Sequence, residues 1–486
     1  MNFNAYTFIL FFAIVLAFHY AKLRLIPQKW RWATKKSFLL MASYLFYAAW
    51  NPPFVVLLWV STVIDWFMAK GIHSTQQQWK KRLFLAGSLS VNLGLMAYYK
   101  YGGFILDNFI DALSSAGIKY QPVSFSIALP VGISFFTFQT LSYTLDIYRG
   151  KMKPWNSRID FALFVTFFPQ LVAGPIVRAI DFQPQLQTER RATASQFHYG
   201  LWLLIVGLFQ KVVLADGILA PIVNKVYAPE TVPGTLNAWA GTLAFAGQIF
   251  CDFAGYSSCA IGAALCLGFV LPTNFRYPYA AVGFSDFWRR WHITLSEWLR
   301  DYLYIPLGGN RKGKVRTLCN LCITMLLGGL WHGASWTFVV WGAMHGFLLM
   351  AEQVIRALPI AQWNIWKSRP GQLFLAFVTF IMICLTWVFF RAKTFSQAFI
   401  ILASMFGFVS TSMPLLHLYT EKAAVALLVI LLITLNHRAL RDMSDEDFEL
   451  RVHQSHWLKR SVALASMLIM LTVVSGKNQA FIYFKF

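Results

Sequence analysis

Long apolar runs recur along this chain, each near the ~20 residues that carry a helix across a hydrocarbon layer. They lie near 5–21, 37–50, 54–69, 83–99, 127–148, 200–220, 236–270, 318–350, 372–390, 423–436 and 461–475. A backbone in hydrocarbon must satisfy its own N–H and C=O groups, so each run is expected to be helical. Only 13% of the 486 residues are charged and 57% are hydrophobic, against about 25% charged in ordinary soluble domains. The fold class is therefore an all-α polytopic integral membrane protein, with about eleven transmembrane helices plus re-entrant and interfacial ones. The runs at 236–270 and 318–350 could each hold two passes. With no linker, low-complexity tract or appended soluble domain, residues 1–486 read as a single membrane domain.

The formal net charge is +22, and it is distributed as topology predicts. Lys22 is the first positive charge and follows the first apolar run, so that run is retained as a helix rather than cleaved. Lys22, Arg24, Lys29, Arg31, Lys35 and Lys36 follow with no acid among them. "KGIHSTQQQWKKR" at 70–82 repeats the signal. Both loops are expected in the cytoplasm, with the N-terminus and the "NPP" turn outside. Basic residues scattered among membrane loops argue against a nucleic-acid partner.

Some runs contain residues that helices avoid. "LFVTFFPQLVAGPIVR" (163–178) holds Pro169, Gly174 and Pro175, and a broken backbone at membrane depth must be buried in protein or line a wet cavity. "ALPVGISFFTFQTLSYTLDIYRG" (128–150) is expected to be interrupted similarly, at Gln139 and Asp146. A central cavity fits such breaks. Cys319 and Cys322 form a CxxC but lie in an apolar helix without other ligands at zinc spacing. Those two, with Cys251, Cys259, Cys266 and Cys384, read as small packing residues. His453 and His456 resemble metal spacing, yet no further ligand supports a site, and no metal is expected.

"GFSDFWRRWHITLSEWLRDYLYIPLGGNRKGKVR" (283–316) is the most informative stretch. Ser285 is the expected N-cap and Asp286 the first-turn acid. Phe284, Phe287, Trp288, Trp291, Leu295 and Trp298 then recur at helical spacing, opposite Arg289, Arg290, Glu297 and Arg300. The pattern predicts an amphipathic helix at the cytoplasmic interface, with His292 and Ser296 on one face. Arg311, Lys312, Lys314 and Arg316 follow beside a Gly-rich turn. They suit a phosphorylated ligand, but taken alone they read more readily as a positive-inside anchor.

His332 sits between tryptophans in "GGLWHGASW" (328–336), inside an apolar run. A lone histidine there is usually a packing residue, but an ionisable group at membrane depth costs about 2–3 kcal/mol and so points to function. Gly328, Gly329 and Gly333 allow close helix approach around it. His345 follows in "WGAMHGFLL", and Asp252 interrupts another apolar run in "FCDFAGYSSCAIG". An acid and histidines at membrane depth suggest an acyl-transfer or proton-relay site.

"CDFAGYSSCAIGAALCLGF", "FWRRWHITLSEWLRDYLYIPLGGNRKG" and "GGLWHGASWTFVVWGAMHG" closely resemble the membrane-bound O-acyltransferases. The resemblance is strongest to the bacterial branch that acetylates alginate and other envelope polysaccharides. "LPVGISFFTFQTLSYTLDIYRG", "FFPQLVAGPIVR" and the terminal "QAFIYFKF" extend it over nearly the whole chain. It implies a ring of helices around a thinned centre, where a cytoplasmic funnel meets an outer cavity to form a central tunnel. The family's essential Trp-His-Gly histidine falls on His332, and the histidine of its Trp-Arg-Arg-Trp-His segment falls on His292.

The implied activity takes acetyl from cytoplasmic acetyl-CoA, a substrate rather than a bound cofactor, and passes it across the bacterial inner membrane. The product is an O-acetylated extracytoplasmic polysaccharide such as alginate. Arg289, Arg290, Arg311 and Lys312 are expected to hold the CoA phosphates, with Asp252 as a supporting polar residue. Trp331, Trp336 and Trp288 are expected to line the tunnel. A separate exported transferase of the Ser-His-Asp type and a polysaccharide synthesis complex are the implied partners, beside the lipid bilayer. D-alanyl transfer to teichoic acid is the alternative within the family. A glycan or lipid transporter is the alternative outside it, but it predicts inverted repeats that the sequence does not display.

Overall fold

The computed structural model describes residues 3–120, 122, 128–229, 231–409 and 420–474, and these contain helices and no strand. The first two residues and the terminal "QAFIYFKF" lie outside the described residues. Each apolar run is helical across most of its described length. Pro52–Ser74, Ala194–Val226, Thr235–Cys266, Trp336–Arg356 and Arg369–Arg391 are long and apolar enough to cross a membrane, and Tyr6–Tyr20, Phe395–Met405 and Ala423–Ala439 are shorter apolar helices. The run at 236–270 forms one helix of 32 residues rather than two passes. The run at 318–350 does divide, into Lys314–His332 and Trp336–Arg356.

The chain forms two compact units, one comprising residues 1–201 and 260–272, the other 202–259 and 273–486. In the first, the Pro169 segment is broken as its sequence requires. Helix Arg158–Thr166 ends, Phe168–Leu171 makes one turn, and residues 172–177 run on irregularly and fully buried. The freed polar groups find protein partners: Phe168 N donates to Ser43 Oγ at 3.1 Å and Gln170 Nε2 to the Phe164 carbonyl at 2.9 Å.

The expected interruption at Gln139 and Asp146 is absent, because Ile133–Tyr148 is one continuous helix. Neither residue removes a backbone donor, and the breakers Pro130 and Gly132 (φ +76°) stand just before the first turn. Two of the basic residues read as topological are also structural. Lys35 is buried against Glu189 at 2.8 Å, and Lys36 meets Asp160 at 2.5 Å.

In the second unit, glycines set the helix crossings. A Cβ on Gly342 would strike the Met325 carbonyl and come within 3.1 Å of Gly329 Cα. Helices Lys314–His332 and Trp336–Arg356 therefore touch backbone to backbone, as the glycines around His332 predict. Gly207 and Gly255 play the same part between Ala194–Val226 and Thr235–Cys266, where the Cys259 thiol reaches the Leu204 carbonyl at 3.5 Å. Cys259 is thus a packing residue, in line with its sequence reading.

Candidate active site

His332 is the last residue of helix Lys314–His332, and Ser335 caps the next helix by accepting from Thr337 N. The histidine therefore occupies the tip of a tight helical hairpin whose two arms are locked by Gly329 and Gly342. Its ring is 2% exposed. Trp331, Trp341 and Phe390 surround it at centroid distances of 5.0, 5.1 and 5.4 Å. The ring of His292 lies 6.3 Å from it.

His292 reaches that position through a break that replaces the single amphipathic helix expected over this segment. Phe284–Trp288 and Ile293–Leu299 are separate short helices, and His292 lies between them in the left-handed region at φ +43°. The cause is competition for backbone groups. Ile293 N donates to the Asn274 carbonyl at 2.9 Å, and Arg276 N donates to the Arg290 carbonyl at 2.9 Å. Residues 274–276 thus claim groups that a continuous helix would need. Within the aromatic stripe, Phe287, Trp291, Leu295 and Trp298 are buried in protein. Nor is Ser285 the cap, since its N–H and hydroxyl both bind Glu352 and Gly283 precedes the first turn.

The His292 ring is fully buried, edge-on to Phe253 at 4.7 Å, with Nδ1 3.1 Å from Asn274 Oδ1. Burial pushes its imidazolium down to about 3, so the ring is neutral at ordinary pH. Asn274 is the polar partner that the histidine spacing does not reveal; its only signal is its place at the start of the polar stretch 274–316.

Asp252 precedes Phe253 on helix Thr235–Cys266. It is buried against Lys211, whose Nζ also binds Asp216 Oδ1 at 3.0 Å. A π-helical stretch, Phe209–Leu219, brings Lys211 and Asp216 together five residues apart. His345 is buried, with Nε2 3.0 Å from Thr386 Oγ1, which itself donates to the Ile383 carbonyl. Trp341 stands between the two histidines of this hairpin, 4.7 Å from His345. Trp288 packs on His345 and Trp341 at 5.0 and 5.9 Å. Of the three tryptophans expected around the path, Trp331 touches His332 directly, whereas Trp336 is half-exposed at the start of its helix.

The four basic residues assigned to the donor divide in two. Arg290 is largely buried and committed: Nε meets Asp286 Oδ1 at 3.0 Å and Nη1 donates to the Arg441 carbonyl at 2.9 Å. Arg289 is exposed, as are Arg311 and Lys312. The last two ride a turn in which Gly308, Gly309 and Gly313 all have positive φ and Asn320 Nδ2 donates to the Gly309 carbonyl at 2.9 Å. Among the described residues no group of three His, Cys, Asp or Glu side chains could hold a metal ion.

A neutral imidazole in a nearly dry aromatic setting, with a second imidazole beside it, suits proton transfer to and from an acyl acceptor. The pattern of the membrane-bound O-acyltransferase family matches residues 5–391. Among similar proteins, one from Azotobacter vinelandii described as "Probable alginate O-acetylase AlgI" is 40% identical over 411 residues, covering 83% of this chain and 77% of its own. A peptidoglycan O-acetyltransferase from Helicobacter pylori is 38% identical, with the same two coverages of 83% and 77%. A teichoic acid D-alanyltransferase from Bacillus subtilis is 26% identical and covers 54% of this chain and 69% of its own. The chain belongs to the membrane-bound O-acyltransferase family. It is an acyltransferase of the membrane.

Proposed function

We propose that this protein takes acetyl from cytoplasmic acetyl-CoA and delivers it across the bacterial inner membrane for O-acetylation of an extracytoplasmic polysaccharide such as alginate. The observation that carries the reading is His332, buried at the tip of its hairpin among Trp331, Trp341 and Phe390, with the His292 ring 6.3 Å away. The acetylase names of the similar proteins that cover most of this chain support the choice of acetyl and of a polysaccharide.

In the step, the acceptor hydroxyl gives its proton to the neutral imidazole of His332 as its oxygen bonds to the thioester carbonyl carbon. The carbon–sulfur bond then breaks, and the departing thiolate takes the proton back from the imidazolium. An acetyl ester and free CoA result, with no net proton change. Exclusion of water by the surrounding rings protects the thioester from hydrolysis.

On the donor side, Arg289, Arg311 and Lys312 are exposed and meet the CoA phosphates. Lys314 and Arg316 open helix Lys314–His332 with no acid in the first turn, a placement that repels cations and favours an anion. The loops 22–36 and 70–82 then face the cytoplasm and the N-terminus faces outward. A separate Ser-His-Asp transferase outside the membrane passes the acetyl to the polymer within a polysaccharide synthesis complex.

The test offers the purified protein, in lipid nanodiscs with the exported partner transferase and alginate as sources of acceptor hydroxyls, radiolabelled acetyl-CoA or a D-alanyl carrier-protein thioester. The reading expects release of free CoA thiol with acetyl-CoA and no D-alanyl transfer. Turnover of the carrier thioester alone contradicts it.

A further inference from the structure

We propose that Asn274 is a positioning residue that fixes the His292 ring with Nδ1 as donor and Nε2 as the proton-accepting nitrogen. The inference rests on the reading of His292 as part of the acetyl-transfer site.

Asn274 grips the turn at 292–294 with both its backbone and its side chain. Its carbonyl accepts from Ile293 N at 2.9 Å. Its Oδ1 lies 3.1 Å from His292 Nδ1 and accepts from Thr294 Oγ1 at 2.9 Å. Its Nδ2 donates to Ser257 Oγ at 3.1 Å, which ties the arrangement to helix Thr235–Cys266. All four side chains are buried. A carboxamide oxygen has two lone pairs, and two donors use them here. A neutral imidazole has one N–H, so its use at Nδ1 leaves the lone pair on Nε2.

The choice of an amide rather than a carboxylate has a chemical consequence. A carboxylate at Nδ1 would stabilise the imidazolium, whereas an amide oxygen orients the ring without favouring its charged form. Asn274 therefore keeps His292 a neutral, oriented base or hydrogen-bond acceptor. Phe253, Phe275, Trp331 and His332 pack around His292; His332 is the ionisable member of this set.

The experiment measures acetyl-CoA turnover against pH for the full-length protein in nanodiscs, with the exported partner transferase and alginate supplied as sources of acceptor hydroxyls and rates normalised to the monodisperse fraction. Asn274→Leu removes the acceptor at similar volume and is expected to lower kcat by about 10²-fold, with KM for acetyl-CoA near that of the parent. Asn274→Asp keeps the acceptor but adds charge, and is expected to move the acid limb of the rate profile upward by at least about one pH unit. A purely structural Asn274 would reduce the folded yield and leave the profile where it was. Parental kcat in Asn274→Leu, or an unmoved acid limb in Asn274→Asp, overturns the proposal. If Asn274→Leu does not fold, the Asp variant decides alone. His292→Ala is run in parallel: full activity there overturns the reading of His292 itself, whereas its loss beside unaltered Asn274 variants overturns only the role of Asn274.

Discussion

His332 and His292 face one another with ring centroids 6.3 Å apart, and neither is carried in the middle of a helix. One ends helix Lys314–His332 and the other immediately precedes helix Ile293–Leu299. Their separation is therefore set by how two turns are held, and those turns depend on backbone contacts at some distance from the rings.

The hairpin is the first such contact. Gly342→Leu places carbon against the Met325 carbonyl and Gly329, both backbone groups that cannot swing aside. Overpacking of this kind costs about 1–3 kcal/mol. The variant is expected to melt earlier in detergent and to lose at least about 10-fold in turnover, because a displacement of even ~1 Å at the reacting groups has that effect. Unchanged melting and turnover would mean that the helices have room to separate.

Lys211, between Asp216 and Asp252, gives a second test. Lys211→Met leaves two buried carboxylates without the ammonium that bridges them. Removing one partner from a buried pair typically costs about 3–5 kcal/mol. A large fall in melting temperature and in membrane yield is expected, measured by fluorescence-detected size exclusion after heating. Asp216→Asn, which keeps the Lys211–Asp252 pair, should fall less.

The donor cations should separate by environment. Arg311→Ala and Lys312→Ala are expected to weaken acetyl-CoA binding by about 10-fold each, as the loss of a charge-assisted hydrogen bond of about 1.5–3 kcal/mol implies. Arg290→Ala breaks the contacts with Asp286 and the Arg441 carbonyl, so its effect should appear in stability rather than in affinity. Calorimetric titration at fixed salt checks both. Parental binding by Arg311→Ala and Lys312→Ala would reduce that turn to a topological anchor.

Orientation is checked at the loop 70–82. Cys319 is exposed and Cys322 partly so, while the other four cysteines are buried. Alanine at those two positions therefore suffices as a background. Gln76→Cys should then react with an impermeant thiol reagent only after spheroplasts are permeabilised. Labelling of intact spheroplasts would invert the proposed topology.

The helices are legible because apolar length is a strong local signal, and His332 stands out as a rare ionisable residue in an apolar run. The break at 289–292 is not legible, because the stripe from Phe284 to Trp298 has the right period for one helix, and only the tertiary bonds from Asn274 and Arg276 interrupt it. The partner of Asp252 is hidden for a related reason. A carboxylate in an apolar run signals a partner but does not name one, and its partner Lys211 sits on a π-helical stretch that no side-chain period reveals. Arg290 likewise looks free in sequence, since Asp286 four residues earlier could equally have been only a first-turn acid.

The central claim is that His332 carries the acyl-transfer chemistry, and one rate tests it most directly. Purified parent and His332→Ala proteins, matched for monodisperse yield in nanodiscs, are given radiolabelled acetyl-CoA together with the exported partner transferase and alginate as sources of acceptor hydroxyls, and the released CoA thiol is followed with time. The account predicts that His332→Ala folds and inserts normally but turns over at least about 10²-fold more slowly. Release of CoA by His332→Ala at the parental rate would contradict it.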